Sequence, residues 1–153
     1  MQCSIIDTGT TCIVNASNDS ATLGGGVSRA IFDECGGTVL QDEMQTKLDE
    51  IGGVLDEGDC IVTTAGTSSR FRWVLHVASV DYRGPRAILR GGQVHRTVTS
   101  LERVRACIDA ALSEADAIAA RDGSLSIGFP ILGAGSGGLA PRGEGFTQPR
   151  SYV

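Results

Sequence analysis

The sequence predicts an α/β fold: a three-layer α/β/α sandwich around a mixed, mainly parallel central sheet. Three observations carry that prediction. Short apolar, β-branched runs alternate with helical patterns along the chain. Two glycine clusters stand directly after strand-like runs, where α/β sheets place their ligand loops. No internal repeat or linker divides the 153 residues, which suffice for one core and one domain spanning residues 1–153.

Taken in order, CSII (3–6) offers a weak first strand, and CIVN (12–15) the first clear one. VSRAIFDECG places Val27, Ala30, Ile31 and Cys35 on one helical face and stops at Gly36-Gly37. VLQDEMQTKLDEI puts Leu40, Met44, Leu48 and Ile51 on a second stripe. DCIVTTA (59–65), WVLHVASV (73–80) and SLSIGFPIL (124–132) are apolar on both faces and so are expected as central strands. Residues 82–96 read as a long polar connection. Thr99 and Glu102 have capping-box spacing, and Leu101, Val104, Ile108, Ala111, Leu112, Ala115 and Ile118 then keep helical period to Asp122-Gly123. Residues 140–153 form an aperiodic tail rich in Gly, Pro and polar residues.

Composition narrows the function. At 41% hydrophobic and 20% charged residues the chain is globular. A formal net charge of −5, with Lys47 the only lysine, leaves no basic stripe and argues against nucleic acid as a partner. Five scattered cysteines without C-x-x-C, and two histidines at no ligand spacing from them, argue against a metal site. Cysteines within apolar runs suit a reducing compartment. With no basic and apolar leader and no run near the ~20 residues of a membrane span, a cytoplasmic protein with no membrane partner is expected.

The first glycine cluster, LGGGV (23–27), follows the strand that carries Asn15 and Asn18 and precedes a helix. The second, LGAGSGGL (132–139), follows the last strand. Glycine lets backbone approach a ligand and turns successive N–H groups inward as an anion nest, and a helix opening at Val27 would add its own amides. Two such loops facing each other would fit a diphosphate better than a single phosphate. Each run could alternatively be a tight turn, with Asn15 and Asn18 capping it locally. There is no G-K-[ST], and GAGSGG stands too near the chain end for a dinucleotide-binding βαβ unit. His76, mid-strand among apolar residues, reads as a core histidine; Cys35, Trp73 and Phe129 read as packing residues.

IVNASN, LGGGVSRAI, GD…VTTAG, WVLHV and SIGFPILGAGSGGL, in that order from Ile13 to Leu139, resemble the macro domain, the ADP-ribose-binding module. The resemblance implies that Gly24, Gly25, Gly26 and Val27 clasp the diphosphate of ADP-ribose together with Gly133, Ala134, Gly135, Ser136, Gly137 and Gly138. It places Asn18 on the distal ribose, has Asn15 brace the strand end, and counts Asn15 and Ala16 among the ligand-binding residues. It implies no metal and no cofactor beyond the ligand, which is ADP-ribose or an ADP-ribosylated protein, and a monomer is expected.

The sequence departs from the family pattern at three points. Ser28 stands where many hydrolytic members carry an aspartate, and a neutral hydroxyl is no comparable base near neutral pH. Gly137 stands where an aromatic often covers the distal ribose. Ser4 occupies the position of the acid that contacts adenine, with Asp7 the nearest carboxylate, and the chain ends before the family's final strand and helix. The fold is therefore expected to be shortened at both ends. The expected activity is hydrolysis of ADP-ribosyl bonds, in modified protein or O-acetyl-ADP-ribose, by phosphate-assisted attack of water, with Asn18 and Ser28 as the candidate catalytic residues. The alternatives are a non-catalytic ADP-ribose reader, or a truncated member that binds weakly.

Overall fold

The structure, a computed structural model, describes residues 3–83, 86–90 and 93–134, with residues 86–90 and 93–97 described by their backbone alone. Its main sheet has the order β2-β3-β1-β6, formed by β1 (Cys12–Asn18), β2 (Ile61–Thr64), β3 (Trp73–Val80) and β6 (Ile127–Gly128). β1 runs parallel to both β3 and β6, whereas β2 is antiparallel to β3, so the sheet is mixed and mainly parallel. Helices α1 (Gly26–Glu34) and α2 (Thr38–Glu50) cover one face and α3 (Leu101–Asp122) the other.

Side-chain alternation divides the core accordingly. Ile13, Val74, Ala78, Ile61 and Ala65 pack with Ile31 of α1 and with Leu40, Met44 and Leu48 of α2. Cys12, Val14, Leu75 and Val77 pack with Cys107, Ala111, Ala115 and Ile118 of α3. β1 and β3 bury both faces, which explains their near-continuous apolar runs.

Several elements differ from the sequence reading. β1 does not stop at Asn15 but runs on to Asn18, because its pairing with β3 continues to that point. Residues 3–6 are no strand: Ile5–Asp7 form a single 3-10 turn, which buries Ile5 in the core while Asp7 stays exposed. The connection at 82–96 contains an antiparallel hairpin, β4 (Arg86–Arg90) with β5 (Gln93–Thr97). Arg90 pairs with Gln93, so two residues, Gly91 and Gly92, separate the strands; that dipeptide was the hairpin signal, hidden among arginines.

Of the three runs expected to be central, only β3 has a strand on both sides among the described residues. There β2 pairs with β3 and no other strand, and the last strand is the short Ile127–Gly128 beside β1. The cap of α3 falls one residue later than expected: Ser100 Oγ accepts from Arg103 N at 3.1 Å. Its buried stripe is Arg103, Cys107, Ala111, Ala115 and Ile118, while Leu101 is 73% exposed and Ile108 and Leu112 also face outward. The tail at 140–153 lies outside the described residues.

Candidate functional site

Because β1, β3 and β6 are parallel, their carboxyl ends share one edge of the sheet. The connections that leave β1 and β6 are neighbours there, and each carries a glycine cluster. This edge is the candidate site.

The loop from Asp19 to Gly25 is held by side chains from both sides. Asn18 Oδ1 accepts from Ser20 N (3.1 Å) and Thr22 N (3.2 Å), and Asn18 Nδ2 donates to Thr22 Oγ1 (2.8 Å). From α2, Gln41 accepts from Leu23 N and donates to the Ala21 carbonyl. That clamp holds Ala21 in the left-handed region at φ +51°, a conformation costing an L-residue on the order of 1 kcal/mol. Asp19 is buried; its carboxylate accepts from Tyr82 N and its carbonyl from Leu55 N.

Helix α1 then opens on Gly25 and Gly26. Gly26 has φ +55°, where glycine is required, whereas a Cβ at Gly24 or Gly25 would meet nothing within 4 Å among the described residues. No side chain among the described residues caps this end. The first-turn amides of Gly26, Val27 and Ser28 have no place in the helical ladder, and they carry the positive end of the helix dipole. On the neighbouring connection, Leu132 and Gly133 are buried, Gly133 lies at φ +79°, and Ala134 is half-buried. Gly135, Ser136, Gly137 and Gly138 lie outside the described residues.

Asn15 and Ser28 lie beneath this surface. Asn15 is fully buried; its Oδ1 accepts from Ser28 Oγ at 2.8 Å and its Nδ2 faces His76 Nδ1 at 3.0 Å. Ser28 Oγ also lies 3.1 Å from the Ala16 carbonyl, so its hydroxyl points into the protein. On the far side of the ring, His76 Nε2 is 2.8 Å from Thr63 Oγ1. Burial pushes the His76 imidazole down to about 3, so it is neutral at neutral pH and serves as a core histidine, as its position in the apolar run suggested. Thr63 and Thr22 were not singled out in the sequence. The signal for Thr63 was a lone hydroxyl on the inward face of IVTT.

Asp7 is not brought to this edge. It pairs with Arg70, which also reaches Glu34 at 3.3 Å, and Arg72 N bonds the Thr11 carbonyl. These groups precede β3, precede β1 and end α1, so the cluster marks the opposite, amino edge of the sheet. Near the carboxyl ends, Asp81 is held down to about 2, chiefly by hydrogen bonds from Arg83. Arg83 also meets Asp56, and Arg103 bonds both Asp81 and the Ala78 carbonyl. Burial raises the thiols of Cys12, Cys35, Cys60 and Cys107, the second and third to about 12, so none of these is a nucleophile at neutral pH. Cys35 is core, and Trp73 and Phe129 pack against the cluster under α3. Among the described residues no three His, Cys, Asp or Glu side chains group as metal ligands, and no helix is long and apolar enough to cross a membrane.

The sequence profile of the macro domain matches residues 14–143, most of the chain and all of this edge. The chain belongs to the macro domain family. Among curated relatives, this macro domain is 31% identical to a macro domain-containing protein of Streptomyces griseus over 86% of the chain and 64% of that protein. It is 39% identical to an uncharacterised protein of Thermotoga maritima, over 47% of the chain and 12% of that protein. The macro domain thus spans less than two thirds of the length of these relatives. Among solved structures, the Oceanobacillus iheyensis macrodomain with ADP is similar at TM-score 0.65 and 26% identity, over 90% of this chain and 65% of that one. The Trypanosoma brucei macrodomain in complex with ADP-ribose is similar at TM-score 0.60 and 26% identity, over 90% and 47%.

Proposed function

We propose that this macro domain binds ADP-ribose, free or carried on a modified protein, at the carboxyl edge of its sheet. In this reading the diphosphate takes the first-turn amides of α1 and the backbone of Gly24, Gly25, Gly26 and Val27, opposite the loop that begins at Gly133 and Ala134. Gly135, Ser136, Gly137 and Gly138 continue that loop in sequence and complete the clasp. Asn18 receives the distal ribose, and Asn15 and Ala16 support α1 from below.

The observation that carries the reading is the opening of α1, where bare glycine backbone leads into a helix end that no described side chain caps. The similarity to macrodomains solved with ADP and with ADP-ribose supports it. Asp7 is left out of the site, since it is engaged with Arg70 at the other edge.

Between the two finer readings, recognition without turnover is the better supported. Ser28 holds the position of the family's acid, and its hydroxyl is directed to Asn15 and the Ala16 carbonyl, away from solvent. The second reading, hydrolysis of an ADP-ribosyl bond, rests on Asn18 holding the ribose while the ligand's own phosphate positions the water.

Calorimetry with ADP-ribose tests the binding; no heat at millimolar ligand would reject it. Incubation with a mono-ADP-ribosylated protein separates the finer readings. Binding without released ADP-ribose supports the reader, and release at catalytic rates overturns it in favour of the hydrolase.

A further inference from the structure

Four buried polar side chains form an unbroken row on the α1/α2 face of the sheet. Thr63 on β2 meets His76 on β3 (2.8 Å), His76 meets Asn15 on β1 (3.0 Å), and Asn15 meets Ser28 in the first turn of α1 (2.8 Å). Each is at most 4% exposed. They lie within an apolar cluster that includes Ile13, Ile31, Ile61 and Val74, where larger aliphatic side chains would serve packing equally well. Buried polar groups survive there only when satisfied, and a satisfied chain fixes the geometry of everything it touches.

The chain has a direction. With Asn15 Oδ1 set toward the Ser28 hydroxyl, the Asn15 amide N–H faces His76 Nδ1, which in that arrangement accepts. The ring proton is then on Nε2 and is donated to Thr63 Oγ1. At the other end, Ser28 belongs to the same turn as the amides of Gly26 and Val27.

We propose that Thr63 and His76 are positioning residues for the amide end of α1, acting through Asn15 and Ser28, so that an outer strand of the sheet sets the geometry of the diphosphate clasp. The part of this claim that concerns binding rests on the ADP-ribose reading above. Thr63 touches no ligand. It orients the imidazole, the imidazole orients the Asn15 amide, and that amide holds the Ser28 hydroxyl and with it the first turn.

The test is a double-mutant cycle on Thr63→Val and Ser28→Ala, read in two ways. Calorimetry with ADP-ribose should show Thr63→Val weakening binding about three- to tenfold in the native background and less than about twofold once Ser28 is alanine. Amide NMR spectra without ligand should show the Gly26, Val27 and Ser28 signals shifted by Thr63→Val. Unchanged affinity and unshifted α1 amides, even with a lower Tm, would reduce the row to a packing feature and overturn the proposal. The same fold-loss in both backgrounds would also overturn it. If the native protein binds no ADP-ribose, that reading falls on its own, and the ligand-free amide shifts still decide the positioning claim.

Discussion

Asn15 and His76 face one another across adjacent parallel strands, in register, with amide nitrogen and ring Nδ1 3.0 Å apart and both side chains fully buried. The pair joins the centre of the sheet to the helix end that opens the candidate site, and its chemistry requires a neutral imidazole.

Acid should therefore destabilise the fold through His76. The folded imidazole protonates only near 3, the unfolded one near its ordinary value of 6.5. Between those values the unfolded chain binds the extra proton, so stability falls as pH drops through that window and is retained above 6.5. The slope from this group approaches about 1.4 kcal/mol per pH unit. Denaturant melts at stepped pH should show it, and His76→Gln should flatten it; an unchanged slope in the variant would assign the acid sensitivity to other groups.

Nitrogen NMR of the native protein should find His76 with its proton on Nε2 and no titration from pH 8 to 5. A titrating signal in that range would contradict the buried, hydrogen-bonded ring.

Asn18→Ala removes both acceptor bonds to Ser20 N and Thr22 N and the donor to Thr22 Oγ1. The loop should lose about 1 kcal/mol. ADP-ribose binding should weaken about tenfold, well beyond that of a Thr22→Val control, because only Asn18 is assigned to the ribose. Equal losses in the two variants would mean that Asn18 serves only the loop.

Gly24 and Gly26 should separate space from strain. Gly26→Ala places an L-residue at φ +55° and should lower stability by about 1–2 kcal/mol in a thermal melt. Gly24→Ala meets nothing within 4 Å among the described residues and should leave Tm unchanged while weakening ADP-ribose, since its Cβ would stand where backbone is to meet phosphate. A Gly24→Ala protein with native affinity would move the diphosphate off this loop.

Native-state alkylation at pH 8 should modify Cys3 first. Cys12, Cys35 and Cys107 are buried, and burial raises these thiols and that of Cys60. Mass spectrometry of digested protein would reveal early labelling at any of the four if that order is wrong.

Much of the fold was legible because its signals are local. The continuous apolar runs CIVN and WVLHVASV, helical period in VSRAIF and the two glycine clusters after strand-like runs are each contained within a few residues, and the motifs around Asn15, Asn18 and Gly24–Gly26 lie in one continuous stretch. Less legible were features set by neighbours. The β4–β5 hairpin was masked by arginines, the places of β2 and β6 at the ends of the described sheet depend on which strands pair, and the face that α3 turns to the sheet depends on what it packs against.

Residue order alone was enough for the α/β class, the family and the bare backbone at the start of α1, since periodicity and glycine conformational freedom are properties of short segments. Tertiary packing decided the partners. Asn15 finds His76 from 61 positions away and Ser28 from 13, and Asp7 is drawn by Arg70 to the far edge of the sheet. A hydrogen-bonding side chain in a sequence has many possible mates, and only burial, which leaves it no water, selects one.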